Sequence, residues 1–308
     1  MRVLVIGGTE FISLHLVRAL QRDRHEVTVL NRGRRPERAA AGVRTLVADR
    51  KDAAALRRAL AGERFDGLVD VTYAPTTGED VQALLAALEG RVGHAIFVST
   101  GRVHDHAVAL PISETTPRTL YWGEYARLKI AGEDAYMASG VPATVVRPTH
   151  VYGPLNTRNN ETFFFDRLVR GRPILVPGDG GWLRQFGHVE DLADAMAAML
   201  GDRRAMGQSY NVTGEEVVTQ VGFVDLVADV VGRRATVVYA PNAPFGQNLA
   251  YDCHAVYTTT KIRRDLGIRP RYTLAAGLAQ TYEWYRREAL DRRDVDFKDE
   301  DALLATLA

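Results

Sequence analysis

Tyr125-Ala-Arg-Leu-Lys129 sets a phenol and an ammonium four residues apart. On a helix the two stand one turn apart on the same face. An ammonium held beside a phenol favours the phenolate and lowers the phenol's pKa. That turns a tyrosine into a general acid or base usable near neutral pH. The lysine keeps further N–H donors, enough to hold a ribose hydroxyl as well. Thr100 stands 25 residues upstream and closes the run Phe97-Val98-Ser99-Thr100. Its hydroxyl could hydrogen-bond a substrate carbonyl or alkoxide; the ordinary alternative is that Ser99 and Thr100 cap a strand end. A Tyr–Lys pair at this spacing also arises by chance on solvated helices, so the surrounding elements decide its meaning.

Those elements begin at the amino terminus. Arg2–Ile6 is a short, almost wholly apolar run, suited to a strand buried on both faces of a parallel sheet. It stops at Gly7-Gly8-Thr9, and apolar residues from Phe11 and Ile12 onward then recur at helical spacing. Strand, glycine turn and helix open a dinucleotide-binding βαβ unit. The glycines let backbone approach a pyrophosphate, and the helix N-terminus offers N–H groups and a positive dipole end. Further strands are expected at 26–30, 43–47, 67–71, 95–98 and 143–146, with helices at 52–61, 79–89 and 121–139. This alternation predicts an α/β fold, a doubly wound parallel (Rossmann) sheet with right-handed crossovers. The second half is less regular. Helices are expected at 161–170, 190–200, 219–231, 258–266 and 275–290, and short strands at 173–176 and 209–212. The charge-rich tail from Asp291 is expected to be partly disordered. Residues 1–155 thus read as a dinucleotide-binding domain and 156–308 as a smaller, mixed α/β substrate-binding subdomain that contributes some strands and helices back to the first.

Bulk properties narrow the class. A length of 308 residues with 46% hydrophobic and 25% charged residues suits a globular enzyme. A formal net charge of +1 supplies no global field for nucleic acid or an anionic membrane. The single cysteine, Cys253, cannot form an internal disulfide and fits a reducing compartment. Met1 directly precedes the first strand and no run reaches membrane-spanning length, so a cytoplasmic protein is expected. No metal site is expected.

Several motifs in order are more specific than any one. After the hydroxyl pair and Tyr125-x-x-x-Lys129 come Arg147-Pro148-Thr149-His150-Val151-Tyr152-Gly153-Pro154 and Arg184-Gln185-Phe186-Gly187-His188-Val189-Glu190-Asp191-Leu192-Ala193. Tyr210-Asn211-Val212 with Gly214, and the stretch from Lys261 to Gly267, follow. Over nearly its whole length the chain resembles the extended short-chain dehydrogenases/reductases, the NAD(P)-dependent epimerase/dehydratase family. The resemblance implies hydride transfer between a substrate carbon and a nicotinamide. Tyr125 would be the acid/base, Lys129 its partner and ribose ligand, and Thr100 the hydroxyl that polarises the substrate oxygen. It implies a cofactor lined by Gly7, Gly8, Thr9, Glu10, Phe11, Ile12, Asn31, Arg32, Arg34, Asp49, Arg50, Thr72, Tyr73, Lys129, Pro148 and His150. Thr100, Arg102, His150 and Arg184 would meet the substrate, Arg184 at a phosphate. The alternative for Arg184 is a surface arginine paired with Asp179 or Glu190. The related enzymes pair through the helices near 79–89 and 121–139, so a homodimer is expected.

The departures are informative. The family spaces three glycines three residues apart; here those positions are Gly7, Glu10 and Ser13. A carboxylate at Glu10 is repelled by a pyrophosphate, so it either accepts from ribose hydroxyls or pairs with an arginine. The family's 4,6-dehydratases carry acidic residues directly after the hydroxyl pair, whereas Gly101-Arg102 follows here, which disfavours that dehydration. His150 replaces an asparagine that contacts nucleotide-sugars. It reads equally as a substrate ligand and as a hydrogen-bonded wall residue. Asn31-Arg32-Gly33-Arg34-Arg35 after the second strand suits a ribose 2′-phosphate, so NADP is favoured with NAD the alternative.

The leading reading is an NAD(P)-dependent oxidoreductase or epimerase acting on a sugar or related polyhydroxylated or natural-product substrate. The opening Gly-Gly-Thr-x-Phe-Ile also resembles an atypical branch that includes chloroplast proteins binding stem-loop RNA. A non-catalytic or RNA-binding member is therefore the alternative, and a reductase of an apolar ketone a third. The retained Tyr125, Lys129 and Thr100 favour an enzyme, and no nucleic-acid partner is expected.

Overall fold

The computed structural model describes residues 1–71, 76–246, 249 and 251–307. The expected cofactor residues Thr72 and Tyr73 lie outside them. The chain divides into two compact units, one of 1–149, 189–213 and 257–270, the other of 150–188, 214–256 and 271–308.

The first unit is built on a seven-stranded parallel sheet. Six of its strands are β1 (Arg2–Ile6), β2 (Glu26–Asn31), β3 (Arg44–Val47), β4 (Phe65–Asp70), β5 (Val92–Val98) and β6 (Ala143–Pro148); Gln208–Val212 is the seventh. The spatial order is Gln208–Val212, β6, β5, β4, β1, β2, β3. This is the doubly wound arrangement, whose order reverses beside β1. Helices α1 (Phe11–Arg22), α2 (Ala53–Ala59), α3 (Gly78–Leu88) and α4 (Gly123–Met137) connect the strands. One face of the sheet buries Leu4, Ile6, Leu68, Ala95 and Phe97 against Leu56, Val81, Leu84, Leu88 and Tyr136. The apolar strand runs read from the sequence are what a sheet covered on both faces requires. Helix α4 lies close over β5 because residue 132 is glycine: a Cβ there would stand 2.5 Å from the Phe97 ring.

The second unit has a three-stranded sheet, Val217–Thr219, Leu183–His188 and His150–Tyr152 in that order, and a parallel pair, Ile174–Pro177 with Val237–Ala240. Phe163, Phe164, Phe165, Phe186, Phe223 and Phe245 fill its core, with Phe186 stacked on Phe223 at 4.3 Å. Four of these strands carry no sustained alternation in the sequence, and three of them have only three or four residues. The tail also departs from expectation. Lys298–Leu307 is a helix rather than a disordered end. Its Glu300 is buried and accepts from Arg167 Nε at 3.0 Å and also from Arg167 Nη2. Phe297 lies under the guanidinium groups of Arg167 and Arg172, and Leu303 and Leu304 pack on Leu175, Ala240 and Ala243. Composition suggested disorder, but these few apolar residues and one buried ion pair supply the anchor.

Candidate active site

Gly7, Gly8, Thr9 and Glu10 carry the chain from β1 into α1, whose first residues are Phe11 and Ile12. Gly8 adopts a φ of +90°, and a Cβ on it would meet Val29 at 2.4 Å, so only glycine fits this turn. The carboxylate of Glu10 pairs with Arg35 and lies 3.6 Å from Arg38. Of the two roles open to it, the structure displays the arginine pair. Asn31 ends β2, where its Nδ2 donates to Gly7 O at 3.2 Å and its Oδ1 accepts from Gly33 N at 2.8 Å. It thus ties the end of β2 to the glycine turn. Arg32 and Arg34 are exposed beside it. Asp49 is exposed, with its Oδ1 accepting from Lys51 N. Arg50 is buried, and its Nη1 donates to Asp70 Oδ1 at 2.8 Å.

Helix α4 carries Tyr125 and Lys129 on one face, as their spacing requires. Lys129 is buried, its Nζ donates to Val98 O at 2.8 Å, and it lies 5.2 Å from the Phe97 ring centroid. The ammonium is thereby held at the end of β5, two residues before Thr100. Burial pushes Lys129 down to about 8; Asp70 and Glu133 oppose this, and Arg50 adds to it. Thr100 Oγ1 accepts from Arg102 N at 3.3 Å and caps the short turn Gly101–Val103. Arg102 lies over the Trp122 ring, 4.7 Å from its centroid.

Beneath this face runs a set of buried charges that the sequence reading missed. Ser99 Oγ donates to Glu133 Oε1 at 2.5 Å. Arg147 Nε and Nη2 donate to the same carboxylate at 2.9 and 2.7 Å. Arg147 Nη1 donates to Nε2 of His104 at 3.2 Å, and His104 Nδ1 donates to Thr116 O at 2.8 Å. That pairing assigns His104 as the neutral Nδ1–H tautomer. On the other side, Tyr136 Oη donates to Asp70 Oδ2 at 2.9 Å. One signal was available: Glu133 follows Lys129 by four residues, as Lys129 follows Tyr125.

Pro148 closes β6. In the second unit, His150 Nε2 and Tyr251 Oη form a hydrogen bond and the rings stack at 5.4 Å. Arg184 is fully buried, which rules out the surface position, and its guanidinium lies 4.1 Å from the centroid of the Tyr251 ring. It donates to the carbonyls of Leu183 and Leu249, and to those of Tyr251 and Cys253. Its guanidinium organises the backbone at Leu249, Tyr251 and Cys253. Tyr251 carries no signal in the sequence that would have marked it.

A doubly wound sheet, a glycine turn at the switch of strand order and a Tyr–Lys helix beside a strand-end threonine define a dinucleotide-binding α/β protein of the short-chain dehydrogenase type. Residues 3–213 match the model of the NAD dependent epimerase/dehydratase family, and the chain belongs to that family. It is 32% identical over 326 residues to the chloroplast stem-loop binding protein of 41 kDa b of Arabidopsis thaliana, spanning 99% of this chain and 84% of that one. It is 30% identical to a dTDP-glucose 4,6-dehydratase of Streptomyces niveus, over 70% of this chain and 64% of the other. Among solved structures, the UDP-glucose 4-epimerase of Thermus thermophilus in complex with NAD superposes with a TM-score of 0.79 at 26% identity, covering 94% of this chain and 100% of that one.

Proposed function

We propose that this protein is an NAD(P)-dependent oxidoreductase or epimerase that acts on a sugar or related polyhydroxylated substrate, with Tyr125 as its acid/base. The observation that carries this reading is the buried Lys129, hydrogen-bonded to Val98 O on the same helical face as Tyr125. The residues fit a dinucleotide. Gly8 takes a positive φ and packs against Val29 where no Cβ fits, and the turn leads into the N-terminus of α1, which suits a pyrophosphate. Lys129 would hold the nicotinamide ribose. The bound nicotinamide would accept or return a hydride at the substrate carbon. Tyr125 takes a proton from the substrate hydroxyl, or returns one to the carbonyl oxygen, as that carbon is oxidised or reduced. Thr100 donates its hydroxyl proton to the same oxygen while its own oxygen is held by Arg102 N.

NADP is the favoured cofactor. Asn31 is neutral and occupied with Gly7 O and Gly33 N, so no carboxylate stands at the end of β2, and Arg32 and Arg34 are exposed beside it. The Gly101-Arg102 sequence after Thr100 speaks against 4,6-dehydration. Small-molecule chemistry of this kind calls for no nucleic-acid partner, and none of the described helices is long and apolar enough to cross a membrane.

The test is direct. The purified protein is denatured to identify any released nucleotide, and the remainder is titrated with NAD and NADP by calorimetry. Retained NAD indicates an epimerase that recycles its cofactor, and exchangeable binding that prefers NADP indicates a reductase. Binding of neither removes the enzymatic reading. One relative's name, the chloroplast stem-loop binding protein, favours a second reading as an RNA-binding member. A steep salt dependence of stem-loop RNA binding at micromolar affinity would support it.

A further inference from the structure

Lys129 lies among buried charges of both signs: its ammonium stands 5.2 Å from the Phe97 ring centroid, Phe97 is paired with Asp70 in the sheet register, and Val98, whose carbonyl it reaches, precedes the Ser99 that donates to Glu133. Arg50 donates to Asp70 at 2.8 Å, and Tyr136 donates to the other oxygen of that carboxylate at 2.9 Å. Burial and then Asp70 push the Tyr136 phenol well up, so it stays protonated and remains a donor. One turn along the helix from Lys129, Glu133 receives Ser99 and both Arg147 donors, and Arg118 reaches it at 3.5 Å. The helix is also fastened to the strand at two consecutive residues, Lys129 to Val98 O and Glu133 to Ser99 Oγ. Each of Asp70, Glu133, Arg147 and Arg50 is less than a tenth exposed. In such surroundings a unit charge acts far more strongly than at a surface.

We propose that Asp70 and Glu133, with Arg50 opposing them, are positioning residues that fix the charge state and place of Lys129 and so the acid/base working range of Tyr125. The proposal rests on the functional reading above for its consequence, but not for its test. The groups acting on the ammonium come from three elements: Asp70 from β4, Arg50 from the segment after β3, and Glu133 from its own helix. Tyr136 on the same helix acts through Asp70, and the Phe97 ring and Val98 carbonyl complete the surroundings. A carboxylate favours the ammonium and a guanidinium disfavours it. Removing either acid must therefore lower the pH at which Lys129 loses its proton, and removing Arg50 must raise it.

The chain contains only four lysines, at positions 51, 129, 261 and 298. Protein labelled with 13C at lysine Cε therefore gives four resonances, each of which can be titrated by NMR without cofactor or substrate. Glu133→Gln and Asp70→Asn should each move the Lys129 midpoint down by about one pH unit, and Arg50→Gln should move it up by a similar amount. The alkaline limb of activity should follow in the same directions. The opposite signs are the diagnostic. A loosened core would carry every variant towards the ordinary lysine value of about 10.4, and that outcome overturns the proposal, as does a midpoint that stays put. If one carboxylate variant fails to fold, the other carries the test against Arg50→Gln. Shifts of the stated signs in a protein that binds no dinucleotide would uphold the charge assignment and sink the enzymatic reading. Dinucleotide binding with an unmoved Lys129 would do the reverse.

Discussion

Lys129 and Val98 are joined by a hydrogen bond of 2.8 Å from a buried ammonium to a strand-end carbonyl. The bond ties α4 to the end of β5, with Tyr125 one helical turn before Lys129 and Thr100 two residues after Val98. Replacing Tyr125 by phenylalanine removes the proposed proton donor and leaves this bond intact. Turnover should fall by about 100-fold to 10,000-fold, with dinucleotide affinity within a few-fold of the parent by calorimetry. Loss of both together would show that Tyr125 acts in binding.

His104 should make the fold sensitive to acid. Burial, and then the Arg147 guanidinium, push it down to about 4, whereas an unfolded histidine titrates near 6.5. The unfolded chain thus binds the proton more tightly. This contribution to stability is whole above pH 6.5 and is lost as pH falls from 6.5 towards 4, amounting to about 3 kcal/mol. His94, also pushed down by burial, acts in the same direction. Denaturant midpoints measured across that interval should drop for the parent and drop less for His104→Gln.

The C-terminal helix should be a stabilising element. Glu300→Gln leaves the Arg167 guanidinium buried without its carboxylate, which typically costs about 3 to 5 kcal/mol. Limited proteolysis should then cleave near 291–297 much faster. Equal cleavage rates in variant and parent would show that the ion pair contributes little.

Arg184→Lys keeps the charge but cannot reach the several carbonyls that the guanidinium serves. The backbone at Tyr251 and Cys253 should loosen, and the lone Cys253, whose carbonyl Arg184 holds, provides the reporter. Its reaction with a disulfide reagent should quicken several-fold in the variant; an unchanged rate would argue that the backbone holds itself.

Glu10→Gln releases Arg35 and Arg38 from their carboxylate. Both are half-exposed, so the effect is small, about 0.2 to 1 kcal/mol. It should appear as a few-fold tightening of NADP relative to NAD in paired titrations. No change in the ratio would show that releasing these two arginines adds nothing to the 2′-phosphate recognition proposed for Arg32 and Arg34.

The alternation of apolar strands and helical stripes, the glycine turn and the Tyr125–Lys129 spacing were all written in the chain order. Each depends on residues within a turn or a strand of one another, and periodicity records local burial. The short strands Val217–Thr219 and Val237–Ala240 were not readable because three or four residues show no period of their own. Partners distant in the chain left no local trace either. Arg50 reads as a cofactor contact beside Asp49, and Arg184 reads as a phosphate contact because it stands in a family motif. Only the folded chain brings Asp70 to one and the carbonyls of Leu249, Tyr251 and Cys253 to the other. The tail reads as partly disordered because its composition is charged, yet Glu300 finds Arg167 more than a hundred residues away. A charge declares itself in the sequence, but the group that answers it, and whether water is excluded from the pair, is decided only when the tertiary structure closes around both.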